Sequence, residues 1–142
     1  NSRLDELQAA VLRVKLPSLD RDNLRRREIA AAYTHEFSDL PLKTPPEFED
    51  RQSVYHQYVI ETLHRDELKD FLTSKQIGTG IYYPVPLHRH EAWLSRGFRQ
   101  LSLPEAERYA RQNIALPMFA ELTDDEIDWV IGAVKEFFSA YD

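Results

Sequence analysis

Val54-Tyr55-His56-Gln57-Tyr58-Val59-Ile60 is made mostly of β-branched and aromatic residues. Such side chains pack well on a pleated surface, so the run predicts a strand with both faces largely covered. On its C-terminal side, Leu68, Phe71 and Leu72 fall on one helical face, which predicts a short helix from Asp66 to Lys75. Ile77-Gly78-Thr79-Gly80-Ile81-Tyr82-Tyr83 then returns as a second strand, stopped by Pro84 and Pro86. A helical turn around Glu91 to Leu94 follows. Pro104 suits the first turn of the next helix, to about Asn113, because its missing N–H would be unpaired there anyway. Ile114-Ala115-Leu116 is a short third strand closed by Pro117. Thr123 and Glu126 have capping-box spacing, and Ile127, Val130, Ile131, Val134 and Phe138 form the apolar stripe of a final helix.

Before the first strand, residues 38–53 carry Pro41, Pro45 and Pro46 and read as a loop. A helix from about Leu19 to Phe37 places Ile29, Ala30, Tyr33 and Phe37 on its buried side. Ahead of it, Leu4, Leu7, Val11 and Val14 share a stripe on an amphipathic helix from about Arg3 to Leu16, interrupted by Pro17. Two long helices meeting at a proline resemble a connector more than a compact bundle. The sum is an α+β unit, a few strands backed by helices and led by a helical connector.

The chain has 142 residues, enough for one core, and its 42% hydrophobic and 30% charged content is that of a soluble globular protein. A net charge of −6 argues against nucleic acid, whose binding rests on phosphate neutralisation. Arg25-Arg26-Arg27 is the only basic cluster, and a solvated helix face explains it at least as well. No apolar run approaches a membrane span, and no signal segment opens the chain. The absence of cysteine excludes disulfides, thiolate metal sites and thiol nucleophiles, and is compatible with a cytoplasmic home. The chain opens directly into a helical pattern without an initiator Met, as expected of a piece of something longer.

The five histidines raise the question of a metal. His88 and His90 are two apart, whereas helical metal pairs want three- or four-residue spacing, and no acidic partner stands at ligand spacing, so no metal site is expected. The serines lack a tight glycine-flanked turn, so there is no nucleophile elbow. Gly78-Thr79-Gly80 lacks the rest of a phosphate-loop pattern and reads as turn and strand geometry. Tyr82-Tyr83-Pro84-Val85-Pro86-Leu87-His88 is different: it places two phenols and an imidazole in a proline-stiffened loop. Rigid aromatic and hydrogen-bonding groups suit a polar, ring-shaped ligand, and plain packing is the competing reading.

Taken in order, several segments resemble one family, the DegT/StrS-type sugar-nucleotide aminotransferases. They are Asn1-Ser2-Arg3-Leu4-Asp5-Glu6-Leu7-Gln8-Ala9-Ala10, then Leu19-Asp20 with Arg26-Arg27-Glu28-Ile29-Ala30 and Tyr33, and Val54 to Ile60. Ile77 to His88, Leu103-Pro104-Glu105-Ala106-Glu107, and Leu116-Pro117-Met118 before Leu122-Thr123 complete the set. The resemblance covers essentially the whole chain. It departs at Tyr82, where a histidine is common in the family, at His90, where a glutamine is common, and at Gln76, where a glycine often precedes the isoleucine.

The resemblance implies the small C-terminal domain of a fold-type-I enzyme, with a mainly antiparallel sheet and a long leading interdomain helix. Residues 1–38 would be the connector and residues 39–142 the small domain, the large domain that binds pyridoxal 5′-phosphate being absent from this chain. It implies a homodimer with shared active sites that transfers an amino group, typically from glutamate, to a nucleotide-linked keto-sugar. A sugar dehydratase of the same family is an alternative, and a non-enzymatic α+β interaction module is another. The catalytic lysine lies upstream: none of Lys15, Lys43, Lys69, Lys75 or Lys135 sits in the family's lysine motif, so the fragment alone is expected to be inactive. Asn1 matches the asparagine that reaches the cofactor phosphate of the neighbouring subunit, and Arg3 supports that end of the site or simply packs the helix. Tyr82, Tyr83 and His88 match the loop that approaches the sugar nucleotide, or else stiffen the small domain.

Overall fold

A computed structural model of the chain describes residues 3–97 and 101–140. At its centre β1 (Tyr58–Glu61) runs antiparallel to β2 (Asn113–Leu116), with Tyr58 opposite Leu116 and Glu61 opposite Asn113. Two further segments each touch this ribbon at one residue, Lys43 beside Glu61 and Gly80 beside Ala115. The helices are α1 (Glu6–Lys15), α2 (Leu19–Glu36), α3 (Arg65–Ser74), α4 (Glu91–Leu94), α5 (Pro104–Gln112) and α6 (Asp124–Ser139).

The core forms where α2, α3 and α6 meet the ribbon. Ile29, Ala30, Tyr33 and Phe37 of the α2 end pack with Tyr58 and Ile60, Leu68 and Leu72, Ile114 and Leu116, and the α6 stripe. Burying a side chain of that size stabilises the fold by roughly 1.5–3 kcal/mol over leaving it in water. Tyr33 stacks on Phe37 at 5.7 Å and meets Tyr58 edge-on at 5.1 Å. Its hydroxyl donates to the Pro117 carbonyl at 3.2 Å, which joins α2 to the chain just beyond β2. The α6 capping box is formed as expected: Glu126 N–H donates to Thr123 Oγ1, and Thr123 N–H donates to Glu126 Oε2.

Two strand expectations are revised. The first strand begins only at Tyr58, because Tyr55 takes a positive φ of 45° and its N–H turns to Ser53 Oγ, breaking the extended run. The second, from Ile77 to Tyr83, shrinks to the Gly80 bridge. Beyond it the Tyr82 N–H leaves the sheet for a side chain, and Pro84 and Pro86 have no N–H to offer a ladder. At the front, Leu4 has φ of 52° and Asp5 caps α1 by accepting from Gln8 N–H, so this helix starts three residues later than the stripe predicts. Pro17 does not separate the helices by a loop; Leu16–Ser18 forms a single 3₁₀ turn between them. Leu4, Leu7, Val11 and Val14 are all exposed.

α3 ends in a Schellman motif. Ile77 N–H reaches back to the Leu72 carbonyl and Gln76 N–H to the Thr73 carbonyl, which puts Gln76 in the left-handed region with φ of 62°. This is the position where glycine is common in the family the sequence resembles, and the backbone supplies the reason. Since a side chain in that region costs roughly 1–2 kcal/mol, offset in part by glycine's chain entropy, Gln76→Gly is expected to raise stability by about 0.5–1 kcal/mol. A urea melt showing lower stability would mean that the exposed Gln76 side chain contributes a contact of its own.

Candidate functional site

After the Gly80 bridge the chain turns outward, and the turn is shaped by the Tyr82 side chain. Its ring folds back over Gly80, where a Cβ would lie 2.6 Å from a ring carbon, so any other residue there would have to displace the ring. The Tyr82–Tyr83 peptide is cis, and the two rings meet edge-on at 5.9 Å. Pro84 and Pro86 restrict the run that follows, which ends in a 3₁₀ turn at Leu87–Arg89.

Side chains from α5 and the start of β2 hold both ends of this loop. At one end Tyr82 N–H donates to Asn113 Oδ1 at 2.9 Å, while Asn113 Nδ2 donates to the Tyr109 carbonyl at 2.7 Å. Asn113 is wholly buried, and both functions of its amide are used. At the other end His88 Nε2 lies 3.0 Å from Glu107 Oε1. Arg89 Nη2 and Leu103 N–H donate to the same oxygen at 3.1 Å each. The His88 hydrogen bond first, then the Leu103 N–H and Arg89, pull the Glu107 carboxyl down to about 2. A pKa depressed in the folded state makes the clamp's contribution complete above the ordinary carboxylate range, and it is lost as pH falls toward the folded value.

The loop borders two hollows. On one side Val85, Leu87, Trp93, Leu103, Ala106 and Tyr109 contribute to an apolar groove of about 850 Å³, with Tyr83 and His88 at its wall. On the other, Gly78, Thr79 and Gly80 meet His56, Tyr82 and Met118 around a more polar hollow of about 410 Å³. Tyr82, folded over Gly80, is half-exposed, and Tyr83 is 72% exposed. His88 is brought into the same loop but is buried on Glu107. Arg3 is exposed in the lead-in to α1 and lines neither hollow. Asn1 lies outside the described residues.

Glu107 and Asn113 were not legible as site residues. Asn113 reads as an ordinary helix end, and nothing in the sequence shows that Glu107 reaches back to His88, 19 residues away. Their one visible signal is that each follows the Leu103-Pro104 helix start at a spacing that keeps it on or just beyond α5.

The described residues do not by themselves fit pyridoxal 5′-phosphate. Among the described residues no lysine or arginine lines either hollow, so they offer neither an amine for the aldehyde nor a guanidinium for the phosphate there. Lys75 is engaged by Glu136 at 2.8 Å and Lys135 by Glu36. No catalytic step through the cofactor follows from these residues alone. The two neighbouring histidines also diverge. His88 sits on Glu107, whereas His90 Nδ1 accepts from Ala92 N–H at the start of α4. Among the described residues, no cluster of His, Cys, Asp and Glu is placed to hold a metal, and no helix is long and apolar enough to cross a membrane.

Comparison with known proteins agrees over nearly the whole length. A pleiotropic regulatory protein of Geobacillus stearothermophilus is 44% identical over 97% of this chain. The dTDP-3-amino-3,4,6-trideoxy-alpha-D-glucose transaminase of Streptomyces venezuelae is 41% identical over 100% of it. Among solved structures, S. venezuelae DesV in complex with a ketimine intermediate superposes with a TM-score of 0.90 at 41% identity, covering 96% of this chain and 37% of its own. The chain spans 38% of the length of each of those two curated relatives. With the model of the DegT/DnrJ/EryC1/StrS aminotransferase family matching residues 1–135, the chain belongs to that family.

Proposed function

We propose that this chain is the carboxyl-terminal part of an enzyme that transfers an amino group, from glutamate, to a nucleotide-linked keto-sugar with pyridoxal 5′-phosphate. The observation that carries this reading is the rigid loop from Tyr82 to His88, with phenols exposed between two anchored ends, in a chain that aligns along its length with a dTDP-sugar transaminase. Tyr82 and Tyr83 border the sugar nucleotide, and His88 shapes the loop from within. Residues 1–38 connect this part to a larger cofactor-binding domain, and residues 39–142 form the small domain. The exposed Leu4, Leu7, Val11 and Val14 support that division, because an apolar stripe of this size calls for a covering surface. Two copies assemble so that Asn1, supported by Arg3, reaches the cofactor phosphate of the neighbouring subunit; a side-chain amide is a suitable donor to it. Lysine and further cofactor contacts come from outside these residues.

Borohydride trapping tests the division of labour. Reduction of the cofactor-loaded full-length protein is expected to fix the cofactor to a lysine outside this chain. The 142-residue chain mixed with pyridoxal phosphate should show no stoichiometric adduct. A stoichiometric adduct at Lys15, Lys43, Lys69, Lys75 or Lys135 would overturn the reading.

A further inference from the structure

We propose that Glu107 and Asn113 are positioning residues for the sugar-nucleotide end of the site, holding the Tyr82–His88 loop from inside so that its phenols meet the substrate in one arrangement. The proposal rests on the transaminase reading above. Its ground is how little else among the described residues hydrogen-bonds to the loop. Past the Gly80 bridge no further residue of the loop pairs with the sheet, and Pro84 and Pro86 cannot donate. What remains is one anchor at each end. The Tyr82 N–H goes to Asn113 Oδ1, and the His88 ring and Arg89 guanidinium go to Glu107 Oε1.

Both anchors stand on one continuous stretch of chain. Glu107 is inside α5, and Asn113 is the residue at which α5 passes directly into β2. That junction is itself held by Arg65, which is 11% exposed and donates through Nη1 to the carbonyls of Ala110 and Asn113 at 3.3 and 3.4 Å. Between the anchors Tyr83 is exposed. Packing alone would favour burying an aromatic ring, so exposed phenols between a buried Asn113 and a partly buried Glu107 that holds the buried His88 point to presentation rather than to core filling. A polar group misplaced by about 1 Å costs on the order of a hundredfold in rate, which is the scale on which such anchors act.

In the full-length enzyme, Glu107→Ala and Asn113→Ala are expected to raise KM for the nucleotide keto-sugar by roughly tenfold to a hundredfold, while the amino-donor half-reaction stays unchanged. Glu107→Gln keeps a carbonyl acceptor for His88 and Leu103 and should recover most of the loss. Thr123→Ala serves as the control: it removes the α6 cap, lowers the melting temperature and should leave the two half-reactions in their original ratio. If Asn113→Ala does not fold, the Glu107 pair decides. Parallel loss in both half-reactions, or no change in either, would overturn the positioning role and leave the transaminase reading standing. If the unmodified enzyme does not turn over a nucleotide keto-sugar, that reading falls and takes the proposal with it.

Discussion

Tyr83→Phe in the full-length enzyme is expected to slow the keto-sugar half-reaction by about tenfold to a hundredfold and to leave the glutamate half-reaction and the melting temperature where they are. Tyr83 is 72% exposed, so removing its hydroxyl disturbs little of this domain's packing. A substrate group that met that hydroxyl, however, is left without a partner after desolvation, and this is what makes the loss large. In the proposed reaction the amino donor would reach the cofactor without a contact to the nucleotide sugar, so its half-reaction should be spared. His88→Ala should behave differently. His88 is buried against Glu107, and its removal opens the clamp, so slower keto-sugar turnover should come with a lower melting temperature. If Tyr83→Phe slows both half-reactions alike, the loop is scaffold and not a substrate surface.

Tyr33→Ala is expected to destabilise the domain by about 3–5 kcal/mol, the range for removing a large aromatic side chain from a core. The ring is fully buried between Phe37 and Tyr58, and burial drives its phenol pKa upward, as it does for Tyr58, which is pushed up to about 12. Tyr33→Phe separates the contributions. It keeps the ring but leaves the Pro117 carbonyl without its donor, at a cost of about 1–3 kcal/mol if that oxygen stays dry. Urea denaturation of both variants reads the difference. A Tyr33→Ala midpoint near that of the unmodified protein would show that the end of α2 is not part of this core.

Helices were far more legible in the sequence than strands, and for a physical reason. The stripe from Ile127 to Phe138 and the Thr123 cap are local, so the pattern alone places α6 within a residue. The Glu91–Leu94 turn and the Pro104 start are local in the same way. Strand ends depend on partners elsewhere in the chain. Val54 to Gln57 has strand composition, yet the left-handed Tyr55 keeps it out of the ribbon. Ile77 to Tyr83 reads as a returning strand, yet its backbone donor at Tyr82 is taken by Asn113, 31 residues away. The loop itself could be read as a stiff aromatic segment because proline and tyrosine carry that information in place. Its anchors could not, since a glutamate in a helix and an asparagine at a helix end are commonplace until the fold brings them to His88 and Tyr82.

The most direct measurement is a single turnover of the full-length, amino-loaded enzyme with a nucleotide keto-sugar, following cofactor absorbance and the sugar product by mass spectrometry together. One equivalent of amino sugar per active site should appear as the cofactor loses its amino group. A dehydrated sugar carrying no new nitrogen, or no product from a fully loaded enzyme offered a panel of nucleotide keto-sugars, would contradict an amino-transfer role for the protein to which this chain belongs.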